Sequence, residues 1–181
     1  MSRPAVDPLS MITLSTGPLL AMRNVSPGYV TDIDILRGIN LTVAPGAITG
    51  LIGLNGAGKS TIMKIICGFL HPRVGATEFD GADISAMAAH RIIDRGICHI
   101  PQESSLFPYM NVQDNLRMPL DHLERRPDGL TRQECAARLD DVFGKFPALR
   151  ERRLAQGGDL SGGQQKMVEF AKAYLQARDC A

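Results

Sequence analysis

Gly53-Leu54-Asn55-Gly56-Ala57-Gly58-Lys59-Ser60-Thr61 is the stretch from which the rest of this chain is read. It fits G-x-x-x-x-G-K-[ST], a phosphate-binding loop, and each residue type has a physical reason to be there. The glycines permit backbone angles that a side chain forbids, so successive N–H groups can curl around phosphate oxygens. Lys59 is long enough to reach the β- and γ-phosphates of a nucleotide, and the Ser60 hydroxyl is a ligand type for Mg²⁺. Upstream, residues 47–52 form a short, mostly apolar run suited to a buried parallel strand. Downstream, Ile62, Ile65, Ile66 and Phe69 recur at helical spacing. Residues 61–69 are therefore expected as a helix whose N-terminus directs its partial positive charge at the anion. A chance glycine turn beside a stray lysine would lack this order of strand, loop and helix.

The bulk composition narrows the field. A chain of 181 residues can bury one substantial core. Its 44% hydrophobic and 22% charged residues are ordinary for a globular protein, and a net charge of +1 offers no basic surplus for nucleic acid. No apolar run approaches the roughly 18 residues of a membrane-spanning helix, so membrane association is expected through a partner. Cys67, Cys98, Cys135 and Cys180 are widely spaced with no C-x-x-C, which favours buried free thiols in a reducing cytoplasm over zinc or disulfides. Neither His71, His90, His99 nor His122 stands at metal-ligand spacing from another histidine or acid. Residues 1–18, with Pro4, Pro8 and Pro18, lack the apolar centre of a secretion signal and are expected as a loose leader.

Working outward from the loop, residues 19–25 and 35–43 read as strands, and Pro45-Gly46 turns the second towards the phosphate loop. Residues 71–75 should break the chain, after which residues 77–79 and Asp80-Gly81 predict a short strand and a tight turn. Residues 87–95 are a helix candidate ended by Gly96, and residues 97–100 a second buried-strand candidate stopped by Pro101. From 112 to about 146 the pattern is helical, interrupted at Pro119 and again at residues 127–129. Arg150-Glu151-Arg152-Arg153 is expected as a solvated face. Ser161 should start a last helix with Met167, Val168, Phe170, Ala171 and Leu175 on its apolar side.

Leu160-Ser161-Gly162-Gly163-Gln164 is a second glycine-rich element at a helix start, where a serine hydroxyl and backbone N–H groups make an anion site. Together with the phosphate loop it resembles the signature motif of ATP-binding-cassette (ABC) proteins. That resemblance implies an α/β P-loop NTPase core with an N-terminal antiparallel β subdomain and a helical subdomain at about 112–160, within one partial ATP-binding domain over 19–181. It implies ATP and Mg²⁺ held by residues 53–61, with Ser60 and Gln102 as Mg²⁺ ligands, Gln102 also touching the attacking water, and Tyr29 stacking on adenine. It implies that Leu160 to Gln164 act on ATP held by a second subunit paired head to tail. The other partners it implies are transmembrane permease subunits, which would place the chain on the cytoplasmic face of the plasma membrane.

Finer similarity lies in Asp80-Gly81-Ala82-Asp83-Ile84, His90-Arg91-Ile92, Arg95-Gly96-Ile97, Ile100-Pro101-Gln102, Leu106-Phe107-Pro108, Phe146-Pro147-Ala148-Leu149 and Glu151-Arg152-Arg153. These look like the branched-chain amino acid importers, and extend the likeness from about residue 19 onward. The family pattern also includes a strand ending in Asp-Glu and a switch histidine beyond the signature, and neither follows residue 164 in this sequence. The expectation is thus a truncated cassette of an ATPase family, with motifs for holding ATP and without those for hydrolysing it. A non-catalytic nucleotide-binding module and a soluble ABC protein of DNA repair or translation are the alternatives.

Overall fold

A computed structural model describes residues 17–27, 37–127 and 129–176, and the chain forms two compact units, residues 1–92 and 93–181. In the first unit β1 (Leu20–Pro27), β2 (Ile39–Val43), β3 (Pro72–Phe79) and β4 (Ala82–Asp83) form one antiparallel sheet in the order β2-β1-β3-β4. The helix α1 (Lys59–Ile66) lies between β2 and β3 in sequence, and α2 (Ala89–Ile93) follows β4. Leu20 stands opposite Val43 and Phe79, and Met22 opposite Leu41 and Thr77, which makes β1 an inner strand paired on both sides, and Leu20, Ala21, Met22 and Val25 are buried. The expected Asp80-Gly81 turn joins β3 to β4, both residues having positive φ (49° and 73°) as a two-residue hairpin requires.

Asn24, at φ 51°, sits where the register of β1 shifts against both neighbours. Gly75, at φ 87°, lies so close that a Cβ would stand 2.4 Å from the carbonyl oxygens of Arg23 and Asn24. Glycine is required there by both angle and space.

Several expectations are corrected. Residues 47–52 form no strand and lie outside the sheet, with Ile48 104% and Ile52 96% exposed. Residues 97–100 are likewise neither strand nor helix, which leaves Cys98 and His99 exposed. A parallel strand needs partners for its own N–H and C=O groups, and an apolar run specifies only the surroundings it prefers. Among the described residues neither run is paired in the sheet. Pro72 begins β3 instead of breaking the chain, as proline can at a strand's first residue. The helix after the phosphate loop ends at Ile66, burying Ile62, Ile65 and Ile66 but leaving Phe69 exposed.

In the second unit α3 (Val112–Glu124), α4 (Arg132–Lys145), α5 (Pro147–Glu151) and α6 (Gly162–Gln176) enclose a core of Val112, Leu116, Leu120, Val142, Phe143, Leu149, Val168, Ala171 and Leu175. Asn111 caps α3 through the Asp114 N–H, and Thr131 with Glu134 forms a reciprocal capping box on α4. Pro119 is buried within α3 and does not interrupt it, while Pro147 occupies the first turn of α5, where its missing N–H costs nothing. Residues 150–153 are exposed as expected; Phe170, placed on the apolar side by its spacing, is exposed.

Asn115 is fully buried and ties down the segment leading into α3. Its carbonyl accepts the Phe107 N–H at 2.9 Å, and its amide donates to the carbonyls of Phe107, Met110 and Asn111 at 3.1, 3.1 and 3.0 Å. Cys67 and Cys135 are buried free thiols; Cys98 is free but exposed, and Cys180 lies outside the described residues. Among the described residues no helix is long and apolar enough to cross a membrane.

Candidate nucleotide-binding site

Residues 53–58 loop into α1 without regular structure, and Gly56 and Gly58 take φ values of 83° and 85°. Gly58 is the N-cap of α1, in the left-handed region, with no side chain capping the helix. The first intrahelical bond of α1 runs from the Ile62 N–H to the Gly58 carbonyl at 3.0 Å. The N–H groups of Lys59 and Ser60 therefore have no acceptor within the helix, and no acidic side chain lies in the first turn. Lys59 folds back over the loop and donates to the carbonyls of Gly53 and Leu54 at 2.6 and 2.7 Å. An ammonium has three donors, so this geometry leaves one to spare while holding the charge across the mouth of the loop. The Ser60 side chain belongs to an exposed residue at the same helix start. Backbone N–H groups, an ammonium and a hydroxyl gathered at one helix N-terminus suit a phosphate chain with its Mg²⁺. Leu54, Asn55 and Ala57 are exposed spacers whose backbone builds the curl; the Ala57 N–H donates to the Leu54 carbonyl at 3.2 Å.

Thr61 follows in the first turn of α1 and is half-buried; of the remaining expected site residues, Tyr29 lies outside the described residues and the others are in the second unit. Gln102 is exposed in the irregular segment before α3. In the signature stretch Leu160 is buried, while Ser161, Gly162 and Gly163 are exposed. The Ser161 hydroxyl accepts the Gln164 N–H at 3.4 Å, and the Gln164 carboxamide oxygen accepts the Ser161 N–H at 3.1 Å. Ser161 thus caps α6 reciprocally with Gln164, which fixes the glycines at an exposed helix start. Gln165 donates to the carbonyls of Gly157 and Leu160 at 3.2 and 3.3 Å and holds the turn before it. Among the described residues no group of three or more His, Cys, Asp or Glu side chains could hold a metal ion.

The sequence reading passed over Lys166 and Glu169 on α6. Glu169 has a side chain only 1% exposed, and its carboxylate accepts from Lys166 Nζ at 2.6 Å and from the Ser105 N–H at 2.5 Å. Burial alone would push this carboxyl up, but the bonds from Lys166 and from the backbone and hydroxyl of Ser105 outweigh it and hold it below the ordinary glutamate value. The signal was a lone acid between Val168 and Phe170, three residues after a lysine, on a helix otherwise read as apolar there.

Over residues 36–180 the chain matches the ABC transporter family. It belongs to that family. The cassette is 35% identical over 155 residues to the lipopolysaccharide export system ATP-binding protein LptB of Haemophilus influenzae, covering 86% of this chain and 62% of LptB. It is 29% identical over 147 residues to the high-affinity branched-chain amino acid transport ATP-binding protein BraG of Pseudomonas aeruginosa, covering 81% of this chain and 60% of BraG. The solved ABC transporter cassette MJ1267 superposes with a TM-score of 0.74 at 27% identity, over 89% of this chain and 66% of that one. The fold is therefore that of the ABC-type P-loop NTPases, and the chain spans about three fifths of the length of these curated relatives. An export component and an amino acid transport component both match, so the likeness reaches the cassette family as a whole.

Proposed function

We propose that this cassette is the ATP-binding subunit of an ABC importer for branched-chain amino acids, coupling ATP binding and hydrolysis to transport. The observation that carries the nucleotide assignment is the start of α1: the ammonium of Lys59 spans a glycine loop whose helix offers uncapped N–H groups. In this reading residues 53–61 hold ATP, Ser60 and Gln102 complete the Mg²⁺ shell, and Tyr29 stacks on the adenine. Residues 19–181 act in nucleotide binding, with the helical subdomain at about 112–160. Leu160, Ser161, Gly162, Gly163 and Gln164 close over ATP held by a second ATP-binding subunit, and that closure drives transmembrane permease subunits at the inner face of the plasma membrane.

The stretches quoted from residues 80–108 and 146–153, with the 29% identity to BraG, support the importer reading. The 35% identity to LptB supports a second one, an export ATPase. Fluorescent-nucleotide titration tests the site: wild type should bind, and Lys59→Ala should lose a charge-assisted contact of roughly 1.5–3 kcal/mol, about a 10- to 150-fold weaker affinity. Equal affinities would refute the assignment. Uptake of labelled leucine, isoleucine and valine in a deletion strain tests the transport reading. Loss of uptake, restored by the wild-type gene and not by Lys59→Ala, supports import. Normal uptake with lipopolysaccharide missing from the cell surface favours the second reading.

A further inference from the structure

The segment that carries Gln102 is neither helix nor strand, so no ladder of backbone bonds sets its position. It is set from α6. The Glu169 carboxylate accepts the Ser105 N–H at 2.5 Å and the Ser105 hydroxyl at 3.2 Å through one oxygen, and Lys166 Nζ at 2.6 Å through the other. The same Lys166 ammonium donates to the Pro101 carbonyl at 2.8 Å. Pro101 and Ser105 bracket Gln102, and both are tied to one turn of the helix that begins with the signature stretch. Lys172, one turn further along α6, adds a long contact of 3.5 Å to the Ser105 carbonyl. A carboxylate with a 1% exposed side chain is costly to bury, and an apolar side chain would fill the site without that cost. What the charged pair supplies and an apolar residue would not is a fixed geometry between two pieces of backbone.

We propose that Glu169, together with Lys166, is a positioning residue that fixes the Gln102 segment to the signature helix, so that the two move as one body. The functional consequence rests on the reading of Gln102 as a Mg²⁺ ligand. A shift of α6 when the signature engages nucleotide would carry Gln102 with it, and a shift of Gln102 would be felt at Ser161–Gln164.

Hydrogen exchange measured by mass spectrometry on the full chain tests this, because the Ser105 amide is itself one of the bonds. Without nucleotide, Glu169→Ala should speed exchange in residues 101–107 about tenfold or more, as expected for loss of a charge-assisted bond. Peptides from α3 and α4 should keep their wild-type rates. Glu169→Gln, which retains an acceptor for Ser105 and the shape of the side chain, should restore much of the protection. Lys166→Arg should stay near wild type and Lys166→Met should loosen the Pro101 end. Unchanged rates at 101–107 in Glu169→Ala would overturn the proposal, and so would equal loss of protection throughout residues 93–176, the mark of a merely structural role.

A second arm adds ATP·Mg²⁺. Wild type should alter exchange at 101–107 and at 160–166 together, while Glu169→Ala should bind fluorescent nucleotide within about twofold of wild type and lose that joint response. A joint response that survives in Glu169→Ala would overturn the coupling. If wild type binds no nucleotide, the functional reading falls; the proposal that Glu169 positions this segment is then judged by the nucleotide-free rates alone.

Discussion

Replacing Asn115 with leucine should cost about 2–4 kcal/mol, built up from one orphaned donor and three weakened acceptors. The side chain is fully buried and makes four hydrogen bonds to the backbone of residues 107–111. Leucine has the same branched heavy-atom skeleton, though it is bulkier, and can make none of them. The three carbonyls keep other partners: Phe107 O retains the Met110 N–H at 3.1 Å, Met110 O the Gly157 N–H at 2.8 Å, and Asn111 O the Asn115 N–H at 3.0 Å. The Phe107 N–H loses the acceptor it has at 2.9 Å. An unsatisfied donor costs about 1–3 kcal/mol and the lost carbonyl bonds together add about 1 kcal/mol or somewhat more. In a urea titration followed by circular dichroism, with a slope near 2 kcal/mol per molar, the midpoint should fall by about 1–2 M. Asn115→Asp keeps the acceptor for Phe107 but turns a carboxylate towards three carbonyl oxygens, so at neutral pH it should be at least as damaging. A leucine midpoint within about 0.3 M of wild type would refute the reasoning. So would an aspartate variant as stable as wild type, which would show that the amide donors do nothing for the segment.

Gly75→Ala should destabilise the first unit by about 2 kcal/mol or more, since alanine meets both a positive φ and two carbonyl oxygens 2.4 Å from its Cβ; an unchanged thermal melt would contradict this. Glu169 is held below the ordinary glutamate value, so its stabilisation is fully present above the unfolded pKa of roughly 4.3 and is lost as pH falls through the folded pKa. The advantage of wild type over Glu169→Gln in denaturant midpoint should accordingly be complete near pH 7 and shrink below about pH 4, and a gap that widened on acidification would reverse the sign. With Ile48 and Ile52 exposed in a run that has no charge and no proline, residues 1–181 expressed alone should self-associate. The double substitution Ile48→Lys, Ile52→Lys should reduce that association in light scattering after size exclusion, and a wild-type chain that elutes as a clean monomer would count against it.

What could be read from the residues alone was, in nearly every case, local. Gly58 ahead of Lys59, Ser161 three residues before Gln164, and Asp80-Gly81 each specify their conformation through contacts within a few positions. The structure shows a left-handed N-cap, a reciprocal cap and a two-residue turn there. Helices α3, α4 and α6 were legible for the same reason, because every helical bond closes over four residues, whereas α5, beginning at Pro147, was not expected. Phe170 marks the limit of periodicity, since spacing gives the side of a helix it lies on but not what stands against that side.

Strand pairing and the polar knots depended on tertiary structure. Residues 47–52 and 97–100 have the composition of buried strands, yet a strand exists only where another stretch presents its N–H and C=O groups in register, and that information lies elsewhere in the chain. Asn115 and Glu169 look like ordinary polar positions on helices until Phe107 and Ser105 are seen to donate to them. The sequence by itself determined the glycine loop before α1, the cap at Ser161 and the helices α3, α4 and α6, because their bonds span a few residues. Only the tertiary structure decided which apolar runs are paired and which charges are buried, because those depend on partners brought together from distant positions.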